Sequence, residues 1–89
     1  MSRKTALEKI AKAGTMIADR AAPNHWRHTD RNRHFRYLDM LPAVRTLYRL
    51  VAEAPSDGQA IHYIKQCQRW HVTTGIESNC LSRAVDELA

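Results

Sequence analysis

Residues 42–67 read PAVRTLYRLVAEAPSDGQAIHYIKQC. In the first half Val44, Leu47, Tyr48 and Val51 recur at steps of three and four, the spacing that returns side chains to one face of an α-helix. Pro42 suits a first helical position, where its missing N–H has no partner to lose. Pro55-Ser56-Asp57-Gly58 then has the composition of a turn, and Ser56-x-x-Gln59 opens a second helix as a capping box. From there to about Val72, Ala60, Ile61, Ile64, Cys67 and His71 share one side. Two amphipathic helices joined by a tight turn must bury their stripes against each other or against further helices.

The rest of the chain repeats this pattern. Towards the N-terminus, Leu7, Ile10, Gly14, Ile17 and Ala21 form a stripe on a helix from about Ser2 to Arg20. Either Ser2 or the Thr5-x-x-Glu8 box can cap it. Gly14 lowers helix propensity, so its place in the stripe predicts close approach of a neighbouring helix. Pro23 ends this helix by disfavouring helical geometry at Ala22. Thr29 or Asp30 can cap the next, which runs to about Leu41 with Phe35, Leu38 and Leu41 facing inward. Pro42 either separates this helix from the following one or kinks a single longer helix. Beyond Val72, Thr73-Thr74-Gly75 reads as a helix end with Gly75 as a left-handed cap. A last helix from about Ser78 to Leu88 buries Cys80, Leu81, Val85 and Leu88. The expected fold is all-α, a compact bundle of four to five short helices, in one domain over residues 1–89. Only three Gly and three Pro in 89 residues argue against a many-turned β-fold.

Charge is unevenly spread. The chain carries a net +5, with a pI near 9.7. Residues 1–50 hold eleven Lys/Arg against four acids, whereas residues 51–89 hold three against five. A basic first half points to a polyanionic partner, either nucleic acid or an acidic protein surface. The densest part is Trp26 to Tyr37, where Arg27, Arg31, Arg33 and Arg36 accompany Trp26, Phe35, Tyr37 and two histidines. Every cation there is Arg, whose planar fork grips phosphate in two places and stacks on rings. Interleaved aromatics can stack unpaired bases. Trp26, Arg27, Arg31, Arg33, Arg36, Arg45 and Arg49 are therefore the candidate binding residues.

A second candidate lies near the C-terminus. Gly75-Ile76-Glu77-Ser78-Asn79-Cys80-Leu81-Ser82-Arg83 resembles the turn and recognition helix of helix-turn-helix DNA-binding proteins. Gly75 matches the turn glycine and Ile76 the apolar residue that plugs the angle between the helices. Leu81-Ser82-Arg83 matches the Val-Ser-Arg of the recognition helix. His71 stands where that pattern has a small residue. The resemblance implies that Asn79, Ser82 and Arg83 approach bases or phosphates.

Other chemistry has little in the sequence to carry it. Cys67-x-x-x-His71 and His25-x-x-His28 lack the paired spacing of zinc sites, so no metal and no cofactor is expected. There is no Gly-rich phosphate loop and no nucleophile elbow, and Asp86-Glu87 and the His34/Asp39 pair have no evident pocket. We expect no enzyme. Met1-Ser2-Arg3-Lys4 leads straight into an amphipathic stretch, and no apolar run nears the roughly 20 residues of a membrane span. A cytoplasmic protein with Cys67 and Cys80 reduced is the expectation. The alternative to nucleic-acid binding is a protein-binding modulator or inhibitor, of the type mobile elements encode, that docks its basic face on a larger nucleic-acid-handling enzyme.

Overall fold

The computed structural model describes residues 2–22 and 31–89. These form four α-helices: α1 (Arg3–Ala21), α2 (Arg31–Glu53), α3 (Asp57–Trp70) and α4 (Gly75–Leu88), with no strand among the described residues. The all-α expectation holds. Thr29 and Asp30, offered as caps for the second helix, lie outside the described residues.

Local chemistry explains most of the boundaries. Ser2, not the Thr5 box, caps α1: its hydroxyl accepts from the Thr5 N–H at 3.1 Å. Ser56 does the same for α3, accepting from the Gln59 N–H at 3.1 Å. Each cap satisfies one of the orphan donors of a first helical turn. Pro42 lies inside α2, so one helix of 23 residues replaces the two that a break there would give. A proline cannot donate to the carbonyl four residues back, so the packing of α2 against its neighbours must outweigh that loss. Gly75 has φ +90°, in the region open to glycine, but it begins α4 and does not cap α3. Helix α3 stops at Trp70, and Val72 is then fully buried in the connection.

Consecutive helices pack side by side and the last closes on the first: α1 packs against α2 and α4, and α3 against α2 and α4. The connections α2–α3 and α3–α4 are three and four residues long, which forces antiparallel neighbours. The core is one cluster centred on Ile10, Ile17, Val44, Val51, Ile64 and Leu81. Ala6, Ala13, Ala60 and Ala84 are also completely buried, and small side chains at these points let the helices close up.

The inward face of α2 differs from expectation. Met40, Val44, Leu47 and Val51 are buried, while Phe35 is 58% and Leu38 41% exposed and Leu41 is only partly covered. At about 100° per residue, Phe35 and Leu38 lie roughly 140–160° round the helix from Met40, so they cannot share its buried side. Tyr48 is a different case: it lies about 40° from Val44 and about 100° from Leu47, at the edge of the buried arc, and is 42% exposed. His71, expected on the inner side of α3, is exposed as its C-cap. A Cβ placed on Gly14 would meet Val44 Cγ1 at 3.5 Å, an ordinary contact, so helix approach does not require a glycine there.

Two arginines tie the ends of the bundle together. At one end Arg3 donates to the carbonyls of Val51 and Ala54, each at 2.9 Å, and pairs with Asp57 at 2.8 Å. It thereby adds a donor at the C-terminus of α2, where the Val51 carbonyl also accepts from the Ala54 N–H at 3.3 Å. At the other end Arg20 pairs with Glu77, whose side chain is 2% exposed, and donates to the Tyr37 hydroxyl at 3.3 Å. Arg20 lies in the last turn of α1 and Glu77 in the first turn of α4, so each charge opposes the local helix dipole. The Tyr37 hydroxyl, followed by the Glu77 carboxylate, raises the Arg20 pKa above its ordinary value.

Candidate nucleic-acid interface

The pairings of Arg3 and Arg20 change the meaning of the charge count. Both belong to the basic first half, yet both are held by acids of the second half, Asp57 and Glu77. They are structural cations. What remains prominent is α2, which carries Arg31, Arg33, Arg36, Arg45 and Arg49 against Asp39 and Glu53. All five arginines are exposed.

They do not form one patch. Arg31, Arg45 and Arg49 are 14 and four residues apart, so they lie within about 40° of one another on the helix, directly opposite the Met40–Val44–Val51 face. Leu38 falls on the same line. Arg33 and Arg36 lie about 140–160° round the helix from Arg31, on the side that turns towards α1 and α4. There, with Arg20, Tyr37, Met40, Thr74 and Gly75, they wall an open groove of about 330 Å³. Trp26 and Arg27, the remaining members of the candidate set, lie outside the described residues, as do His25 and His28.

Arg36 borders a second groove as well. This one, of about 450 Å³, lies between the N-terminal half of α2 and the end of α3 and is lined by Asn32, Phe35, Arg36, Asp39, Met40, Trp70 and His71. Trp70 is 65% exposed and escaped the sequence reading. A signal was present: Arg69-Trp70-His71 follows Cys67, the last buried residue of α3, and a tryptophan there falls off the 60/64/67 stripe. Its indole N–H donates to Gln66 Oε1 at 3.0 Å, and the Arg69 guanidinium lies 5.1 Å from its ring centroid.

The C-terminal candidates sit elsewhere. Asn79, Ser82 and Arg83 are exposed on α4, across the bundle from α2. The Ser82 hydroxyl already accepts from the Gln68 amide at 2.8 Å, and that amide also donates to the Ser78 carbonyl at 3.0 Å. Ile76 does not plug the angle between α3 and α4: it is 56% exposed, and Glu77, 1% exposed, is the inward residue of that turn. The reason is the Arg20 pairing, which draws the carboxylate inward and rotates Ile76 to the surface. Glu77 therefore adds nothing to the surface charge of α4, where Arg83 stands near Asp86 and Glu87.

Among the described residues no group of three His, Cys, Asp or Glu side chains converges as a metal site, and no helix is long and apolar enough to cross a membrane. Cys67 and Cys80 are free, buried thiols, and burial pushes the Cys67 thiol up to about 11. Comparison with protein-family models, curated proteins and solved structures finds no match, so function must be read from this geometry.

Proposed function

We propose that this chain is a non-enzymatic nucleic-acid-binding protein that engages phosphates through α2. The observation that carries the reading is the exposed arginine ridge, Arg31, Arg45 and Arg49, on the face of α2 opposite the core. At 1.5 Å per residue the ridge is about 27 Å long, enough to follow several successive phosphates. Arg33 and Arg36, about 140–160° round the helix from Arg31, belong to the groove facing α1 and α4, apart from the ridge. Both thiols are free and buried, in keeping with action in the reducing cytoplasm.

The test is a salt titration of labelled oligonucleotide binding. Arg31→Ala with Arg45→Ala and Arg49→Ala removes three exposed side chains, so the fold should survive. The slope of log K against log salt should fall by about two to three units, at roughly 0.7–0.9 for each phosphate no longer neutralised. Asn79→Ala with Arg83→Ala should leave binding nearly intact. If that pair abolishes binding while the triple variant binds normally, the helix-turn-helix reading replaces this one.

A second reading, docking on an acidic protein surface, is favoured by one observation. Leu38 and Tyr48 are exposed beside the arginines, and Tyr48 borders an apolar groove of about 270 Å³ with Ile10, Gly14, Leu41 and Val44. An interface with an apolar centre keeps most of its affinity in salt, whereas phosphate binding does not.

A further inference from the structure

We propose that the groove between α2 and the end of α3 seats an unpaired nucleobase, so that the chain prefers single strands to duplex. The inference rests on the nucleic-acid reading and adds a site that the arginine ridge does not supply.

Two large aromatics frame this groove, Phe35 at 58% and Trp70 at 65% exposure, while the core is complete without either. Leaving so much ring in water costs free energy that a ligand face would recover. Trp70 is also oriented by its neighbours. Its N–H donates to Gln66 and the Arg69 guanidinium lies against its ring, contacts that favour one orientation of the indole before anything stacks on it. The groove, at about 450 Å³, lies at the lower end of the range for small-ligand clefts, the right scale for one planar heterocycle and its sugar.

The polar groups in the wall choose between a base and a phosphate. Besides Arg36, the wall's polar residues are Asp39, Asn32 and His71. A carboxylate there repels a phosphate but accepts from the N–H edge of a base, and the Asn32 amide can both donate and accept. The cations, Arg36 in the wall and Arg69 against the Trp70 ring, can serve the phosphates that flank such a base. A duplex hides the faces of its bases in its own stack, so only a single strand can use this seat.

The chain has two tryptophans, Trp26 and Trp70, so Trp26→Phe leaves Trp70 as the sole reporter, and affinities in fluorescence work are referred to that background. Three 20-mers are titrated at low salt: oligo-dC, an abasic strand of the same charge, and a duplex. The expected result is quenching of Trp70 by oligo-dC, with the abasic strand and the duplex bound more weakly. In the otherwise native chain, Trp70→Ala should weaken oligo-dC binding by about 5- to 150-fold, the range for losing one base–aromatic stack. It should leave abasic-strand binding and the thermal midpoint almost unchanged. Equal binding of oligo-dC and the abasic strand, tighter binding of duplex, unchanged Trp70 emission at saturation, or unaltered affinity of Trp70→Ala would each overturn the base seat while the arginine ridge stands. Absence of binding to all three strands overturns both.

Discussion

Removing Arg20 should damage this protein more than removing the charge it pairs with. Glu77 is almost wholly buried, at 2% side-chain exposure, whereas Arg20 retains 30%. In Arg20→Ala the carboxylate stays in the interior without its cation. Breaking a buried pair in this way costs about 3–5 kcal/mol, and the partial exposure of Arg20 places this case near the lower end, about 3 kcal/mol. In Glu77→Gln the charge disappears but a near-isosteric acceptor remains for Arg20, which can turn its guanidinium to water. About 1 kcal/mol is expected there, the value of a single net hydrogen bond. The double variant should be more stable than Arg20→Ala alone, because it no longer buries an unpaired charge. Domains of this size are stable by about 5–15 kcal/mol, so the losses are measurable without complete unfolding. Urea denaturation at neutral pH, followed by far-ultraviolet circular dichroism, gives all four free energies and the coupling between the two sites. Equal losses for the two single variants, or a double variant less stable than Arg20→Ala, would refute the claim that Glu77 depends on Arg20 for its burial.

Two of the three helical glycines, Gly14 and Gly75, should respond in opposite directions to alanine. Gly14→Ala should stabilise the fold by about 1 kcal/mol, because the new methyl meets Val44 at an ordinary 3.5 Å and helix propensity improves. Gly75→Ala should cost about 2 kcal/mol, since φ is +90° and a Cβ would lie 2.8 Å from Glu77 Oε2. Thermal midpoints of the two variants check both signs. The thiols should resist a bulky disulfide reagent at pH 8 in the native state and react fully in denaturant, because both are buried and Cys67 titrates only near 11. Raised above its unfolded value of about 9.0, the Cys67 pKa gives stability that is complete below pH 9 and lost as pH climbs through 11. Cys67→Ala should flatten that part of the stability–pH curve.

Periodicity made the helices legible. The stripes 10/17/21, 44/47/51, 60/64/67 and 80/81/88 could each be read from spacing alone, because an amphipathic helix must repeat its apolar positions every three to four residues whatever it packs against. Ser56 and the Pro55–Gly58 turn were legible for a similar reason, since caps and turns are made by neighbours in sequence. Phe35, Leu38 and Tyr48 were misread as inward because each also fits a helical stripe. Choosing between two overlapping stripes on one helix requires knowing where the other helices lie.

Charge composition alone set the partner class to be tested, but the site depended on how the helices meet across the bundle. No local signal distinguishes Arg3 and Arg20 from Arg31 and Arg45. Their acids stand 54 and 57 positions away, at Asp57 and Glu77, and only antiparallel packing brings them together. The same packing places Trp70 beside Phe35 and Arg36, 34 or more positions earlier in the chain. Spacing and composition were enough to establish that the chain is helical, where its turns fall, and that its cations gather in the first half. Which of those cations hold the bundle together and which face outward was settled by packing, because a side chain's partner is fixed by proximity in space.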